Sequence, residues 1–433
     1  MMKLWQKSTT QLDDAVEQFT IGRDRELDLH LARYDVAASI AHAQMLGKTG
    51  IISADESTTL IEALEEIAQE IERGTFRIED GVEDIHSQLE LLLVRRLGPI
   101  GEKIHTARSR NDQVLTAIAL YARDRLERTA ANIQTLVGTM LAWAARHREI
   151  LMPGLTHMQA AMPTTFALWM SSFAESLLDD GAFATAAGEI AAKNPLGTAA
   201  GYGSSFPIDR RMTTALLGFR TMVASPAAAQ LLRGKIERAC ATALAAYSAT
   251  LGRLAMDVVL FLSPGYQFLR LPPALTTGSS IMPHKQNPDV FELLRARFNR
   301  VQAVPTTIGM VTINLPSGYH RDYQVLKELL LPAWDEFDEC VAVLTHVLPH
   351  LEPTEGIVER AEYRGIWSVE RVHERMRSHG ETFRAAYRAV AESAENIPAP
   401  QQCPAYLRKM EQEALAALGT ALEHARTERA ESV

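Results

Sequence analysis

Cysteine is scarce in this chain. Its 433 residues hold three, Cys240, Cys340 and Cys403, far apart and odd in number, with no Cys-x-x-Cys pair. That argues against a disulfide framework and against a zinc site. An excess of positive charge is lacking too. Lys and Arg total 44 against 53 Asp and Glu, a net charge of −9, which speaks against partnership with nucleic acid or an anionic membrane surface. An acidic total still allows a small cationic site for an anionic substrate. The opening stretch "MMKLWQKSTTQLDD" has no apolar signal core, and no long uncharged apolar run suits a bilayer span. A reducing cytoplasm is the expected setting. Proline is absent before Pro99 and again across 100–152, 164–194, 227–263 and 354–397. Runs of alternating, β-branched residues are few, so little of the chain reads as strand.

What fills those proline-free stretches is Ala, Leu, Glu and Arg, all helix formers. In the segment 113–150, Leu115, Ile118, Ala119, Ala122 and Leu126 recur at the three-four spacing of a buried helical face. Residues 226–263 are apolar over most of the circumference, which predicts a helix inside a bundle. The fold class is therefore all-α. With hydrophobic residues at 47%, the chain is globular and long enough for two or three domains. Composition shifts twice and defines three regions: charged, short helices over 1–108, long apolar helices over 109–349, and a shorter charged region over 350–433. The polar end, "LEHARTERAESV", is expected to fray.

Three polar loops stand out, each ahead of a helix start. "GSSIMPHKQNPD", residues 278–289, has only Ile281 and Met282 to bury, and Pro283 and Pro288 exclude a continuous helix. Asn287 reads as a helix N-cap with Pro288 in the first turn. The free N–H groups there, with Lys285 beside them, suit an anion such as a carboxylate, and Ser279 brings a hydroxyl. The plainer alternative is a capping loop with a solvated lysine. "HTARSRNDQV", residues 105–114, and "GLTHMQAAMPTTFALW", residues 154–169, have the same character, the second placing Thr156, His157 and Gln159 in a loop. A Walker loop is excluded because His284 stands where its glycine belongs, and there is no GxGxxG or HExxH. Pro349, between His346 and His350, speaks against a metal pair there.

These segments resemble the fumarase/aspartase lyase superfamily, whose members release fumarate, and "GSSIMPHKQNPD" resembles its signature loop. "HTARSRNDQ", "LTHMQAAMPTTFALW", "NPLGTAAGYGSSFPIDR" and "GYHRDYQVLKE" are similar to the argininosuccinate lyase version, as are "KLWQK" and "DRELD". The resemblance covers about residues 3 to 330. Two departures stand in it: His284 and Gln286 flank Lys285, and Gly22 stands near the place of a usual serine.

The resemblance implies cleavage of argininosuccinate to arginine and fumarate by β-elimination, with no metal and no organic cofactor. Ser279 is implied as the base, and His157 as the general acid with Glu292 as its partner. Lys285 and Asn287 would stabilise the charge that grows on the carboxylate. Ser109, Arg110, Asn111 and Thr156 would hold the succinate carboxylates. Tyr319, Gln324 and Lys327 would hold the arginine part. His86 in "DIHSQLE" matches a further family histidine, and Asp24 and Arg25 would close the site's edge. An adenylosuccinate-type lyase and a non-catalytic, crystallin-like protein on the same fold are the alternatives. One geometric expectation is independent of the family. A helix over 113–150 would be roughly 50 Å long at 1.5 Å per residue, so Asn111 and His157 of one chain could not touch one small substrate. Long helices would then assemble into a multi-subunit core. The resemblance implies a homotetramer whose sites draw on three chains.

Overall fold

The computed structural model describes residues 13–393, 400 and 402–431. The segment "KLWQK" and most of "NIPAPQQCP" lie outside them. Helix dominates, and the sheet is limited to three two-stranded pieces. The chain divides into two compact units. One takes the residues up to Arg128 with Phe183–Ala245 and Val301–Glu336. The other takes Thr129–Ala182, Ala246–Arg300 and Phe337–Val433. Each unit is discontinuous because the long helices pass from one to the other, so the units cut across the three successive regions of composition.

In the first unit, helices α1 (Ala32–Lys48), α2 (Ala54–Glu72) and α3 (Ile85–Leu97) pack together. Ser53 starts α2 with a capping box: its hydroxyl accepts from Glu56 N–H while Glu56 reaches back to the Ser53 N–H. Leu60, Leu64 and Ile67 follow at helical spacing and are buried against Val36, Leu46, Leu89 and Leu93. The short turn Pro99–Glu102 lies so close to α3 that a Cβ on Gly101 would sit 2.4 Å from the Leu93 carbonyl.

Helix α4 (Arg110–Arg146) is 37 residues long and starts three residues before the expected point. Leu115, Ile118, Ala119, Ala122 and Leu126 are buried, as their spacing predicts. In the second unit, the later part of α4 holds Trp143, whose indole donates to the Leu351 carbonyl at 2.8 Å. After α4 comes a hairpin where a loop was expected. Strands β1 (Leu151–Thr156) and β2 (Gln159–Thr165) pair antiparallel, and β2 runs into α5 (Phe166–Ala191). Trp169 on α5 packs on Phe261 and donates to Asp257 at 3.1 Å.

Residues 226–262 form the one described stretch long and apolar enough to cross a membrane by length and composition. Its side chains Leu232, Cys240, Leu244, Leu251, Leu254 and Val258 are buried within the protein. It is broken where a single helix was expected. A short helix, Pro226–Leu232, ends at Arg233, and α6 (Lys235–Leu262) starts after Gly234. Gly234 adopts φ +77°, and its N–H donates to Glu237 at 2.7 Å, which caps α6. Helices α7 (Asp289–Thr312) and α8 (Val325–Val347) run through Pro305 and Pro332. The last helix, α9 (Ala405–Glu431), extends into the polar segment that was expected to fray, as far as Glu431.

Candidate active site

A cleft of about 460 Å³ opens in the first unit. Its residues come from the segment before α1, the start of α3, the start of α4, and the stretch from Tyr319 to Lys327. Of the site residues read from the sequence, His86, Ser109, Arg110, Asn111, Tyr319, Gln324 and Lys327 line it together.

The "HTARSRNDQV" segment is built as a helix cap. The Ser109 carbonyl accepts the Gln113 N–H, and its hydroxyl accepts the Asn111 N–H at 3.3 Å. Asp112 reaches back to the Ser109 N–H at 3.0 Å. Its other oxygen accepts from Gly197 at 3.0 Å and Ala199 at 2.8 Å, which ties the "NPLGTAAG" segment to the start of α4. Burial raises the Asp112 carboxyl to about 6 in spite of these three donors.

Arg110 was expected to grip a substrate carboxylate. It grips the protein's own: Nη1 donates to Glu83 at 2.8 Å, and Nε lies 3.3 Å from Asp84. Asp84 is the N-cap of α3. Burial works against its charge, but His86 and Arg110 prevail and lower its pKa. Lys327 is likewise engaged. Its side chain is 5% exposed, and Nζ lies 2.6 Å from both Asp24 and Asp28. Gln324, expected on the arginine part, donates to the Thr20 and Ile21 carbonyls and accepts from Arg321. Tyr319 is the freer group, 40% exposed with its ring 6.2 Å from Tyr323.

His86 is 5% exposed, and its Nδ1 lies 3.1 Å from Asp35. Burial opposes the charged ring, yet Asp35, Asp84 and Asp28 outweigh it and raise the His86 pKa. Nε2, on the other side of the ring, has no protein partner. Sequence reading missed Asp35, Glu83 and Asp84. It missed Arg108 as well, a buried cleft residue whose Nη1 donates to Ser39 at 3.0 Å and whose pKa is lowered by burial. It placed Asp24 only at the edge. The spacing of Asp24 and Asp28, one helical turn apart in "DRELD", is the signal that a shared cation lies between them.

Thr156, His157, Ser279, Lys285, Asn287 and Glu292 belong to the second unit and are not part of this cleft's lining. Thr156 and Gln159 pair across the hairpin end. His157 and Met158 form its two-residue turn, with φ +55° and +59°. Both central residues in the left-handed region is the pattern that Asn-Gly normally supplies, so an exposed histidine is held here at a conformational cost. In the 278–289 loop, Asn287 is not the helix cap. Its backbone pairs with Thr277, N–H to O at 2.8 and 3.1 Å, and these bonds close the base of the loop. Pro288 precedes the helix instead, and its carbonyl accepts from Phe291 and Glu292. Ser279 Oγ accepts weakly from Ile281 and Met282 at 3.4 and 3.2 Å. Ile281, expected to be buried, is 82% exposed, because the loop projects from its closed base. Lys285 is exposed, and no ion pair among the described residues includes His157 or Glu292. No group of three or more His, Cys, Asp or Glu among the described residues is placed to hold a metal ion.

A family profile described as lyase matches residues 6–303. An argininosuccinate lyase from Phocaeicola vulgatus is 48% identical over 388 residues, 90% of this chain and 86% of that protein. One from Stenotrophomonas maltophilia is 40% identical over 91% of each. Among solved structures, an EDDS lyase in complex with formate is similar at a TM-score of 0.72 and 21% identity, over 98% of this chain and 96% of that one. A class II fumarase from Schistosoma mansoni is similar at a TM-score of 0.71 and 14% identity, over 94% and 95%. These two likenesses concern the fold.

Proposed function

From the premise that this chain belongs to the lyase family, alongside the argininosuccinate lyases, we infer that it splits argininosuccinate into arginine and fumarate. The observation that carries this is the 48% identity across 90% of the chain. The chemistry is a β-elimination. A weakly acidic C–H beside a carboxylate loses its proton, charge accumulates on the carboxylate, and the guanidino nitrogen leaves with a proton.

In our reading Ser279 takes the proton. Its hydroxyl is bound only by two long backbone contacts, so little holds it in a resting role. A serine is a weak base and needs cationic surroundings, which Lys285 supplies. Lys285 and Asn287 offer the hydrogen-bond donors for the developing carboxylate charge. His157, exposed at the hairpin tip, gives the proton to the leaving nitrogen. Ser109, Asn111 and Thr156 receive the succinate carboxylates. Arg110 acts with them by positioning Glu83 and Asp84. Glu292 acts on His157 of the assembled site, since no such pair is present among the described residues.

The site is completed by other copies. A 37-residue helix is roughly 55 Å long at 1.5 Å per residue. Its first turn carries Asn111, and the hairpin after its last turn carries His157. A substrate that touches both takes them from different chains, and a homotetramer fits this need. A cytoplasmic setting agrees with three buried cysteines that form no disulfide.

Incubation with argininosuccinate, followed by ultraviolet detection of fumarate, tests the assignment. Release of fumarate from argininosuccinate and not from adenylosuccinate is expected. Turnover of adenylosuccinate alone would overturn it, and no turnover of either would favour the non-catalytic alternative.

A further inference from the structure

His157 sits on a turn that its own residue types do not favour. The hairpin tip puts His157 at φ +55° and Met158 at φ +59°, a region in which a residue with a Cβ persists only where its surroundings fix it. Those surroundings are sparse. Thr156 to Ala160 are all exposed, whereas Met152, Pro153 and Pro163 toward the other end of the hairpin are buried. There β1 and β2 pack on Ile357–Glu359 and Ala361–Trp367. Beyond the pairing of the two strands, one hydrogen bond among the described residues reaches the tip from the rest of the protein. The Tyr266 hydroxyl donates to the Met158 carbonyl at 3.4 Å.

Tyr266 is itself firmly placed. It lies in the turn after α6, where its N–H donates to the Ser263 carbonyl at 3.1 Å. Its own carbonyl accepts from Arg360 at 2.8 Å. Its ring meets Phe268 edge to face at 5.3 Å and lies 6.4 Å from Phe261, and both of those rings are buried. Backbone and ring are thus anchored, and the hydroxyl is the group that faces the hairpin.

We propose that Tyr266 is a positioning residue: its hydroxyl holds the His157–Met158 turn in the shape that presents the imidazole for proton transfer to the leaving nitrogen. This rests on the lyase reading above, in which His157 gives that proton. In this role Tyr266 acts through the turn and touches no reacting atom. Proton transfer depends on the placement of the donor, so a slack turn slows the chemical step. The bond is long at 3.4 Å, and its loss loosens the tip without unfolding the hairpin, whose strands are anchored at the other end.

Tyr266→Phe, studied in the intact oligomer, keeps the ring and removes the hydroxyl alone. Hydrogen–deuterium exchange of peptides spanning the hairpin tip and steady-state turnover of argininosuccinate are compared with the wild type. With assembly and melting temperature retained, the tip should exchange roughly two- to fivefold faster. The kcat should fall roughly two- to fivefold, the range for one weak neutral hydrogen bond, while KM stays within about twofold. Unchanged exchange at the tip overturns the proposal. So does faster exchange with kcat retained, or a loss that appears in KM instead of kcat. Absence of argininosuccinate turnover by the wild type would refute the lyase reading, and exchange at the tip would still decide whether Tyr266 holds the turn.

Discussion

At the scale of single residues, the described side chains divide into those already engaged and those kept available. Arg110, Gln324 and Lys327 make protein contacts at 2.6–3.3 Å, which hold their side chains in place along the cleft. Ser279 and His157 make few contacts, which suits groups that must exchange protons. Ser279→Ala should therefore lower turnover roughly 10²- to 10⁴-fold, the usual worth of a positioned base, without lowering the melting temperature. Steady-state kinetics and a thermal scan check both halves. Substantial remaining activity would assign the proton to another group. Asp112 gives a pH-dependent counterpart. Its folded pKa of about 6 lies above the ordinary carboxylate value because of burial, so folding takes up a proton. Its contribution to stability is greatest below about pH 4 and is lost as pH rises through 6. Asp112→Asn does not titrate, and its amide nitrogen must face one of three N–H donors. The stability of the wild type relative to this variant should be roughly 2–3 kcal/mol greater at pH 4 than at pH 7. Denaturant melts at the two pH values measure this. A gap that widens toward pH 7 would contradict the account.

At the scale of elements, the sequence was most legible where helix signals were unopposed. The start of α4 falls within three residues of its expected place because Ser109 and Asp112 form a cap that local residues dictate. Legibility failed where tertiary contacts decide. Gly234 breaks the 226–263 stretch because φ +77° and the bond to Glu237 are available there, and a glycine in an apolar run does not announce that. Proline does not mark every helix boundary here: α7 and α8 continue past Pro305 and Pro332. The β1–β2 hairpin was missed because Pro153, Gly154 and Pro163 disfavour strand locally, and pairing overrides them. Its His157–Met158 turn lacks the usual glycine, so spacing gave no warning. Asn287 has the residue type of a cap, but its backbone is used to close the loop. The cleft's acidic half was legible only as spacing, since burial decides which carboxylates meet Lys327. A test at this scale is Gly101→Ala, which brings a methyl group against the backbone of α3 beneath the segment that leads to Arg108. It should cost about 1–3 kcal/mol by overpacking, read as a fall in melting temperature. An unchanged melting temperature would mean that the Pro99–Glu102 turn yields easily.

For the whole molecule, the central claim is that one chain does not complete its own site. The expectation came from the length of α4, and the 37 residues described bear out that length. How copies of the chain would assemble to bring the other loops to the cleft is not readable from one sequence. Subunit mixing tests the claim most directly. Asn111→Ala and His157→Asn are purified separately as low-activity oligomers, dissociated together and allowed to reassociate. If each site takes Asn111 and His157 from different copies, random mixing restores both residues at about a quarter of the sites, and activity should rise toward that fraction of the wild-type value. If a chain supplied both groups to its own site, every site in the mixture would keep one defect. Activity that stays at the level of the separate variants after demonstrated reassociation would contradict the shared site.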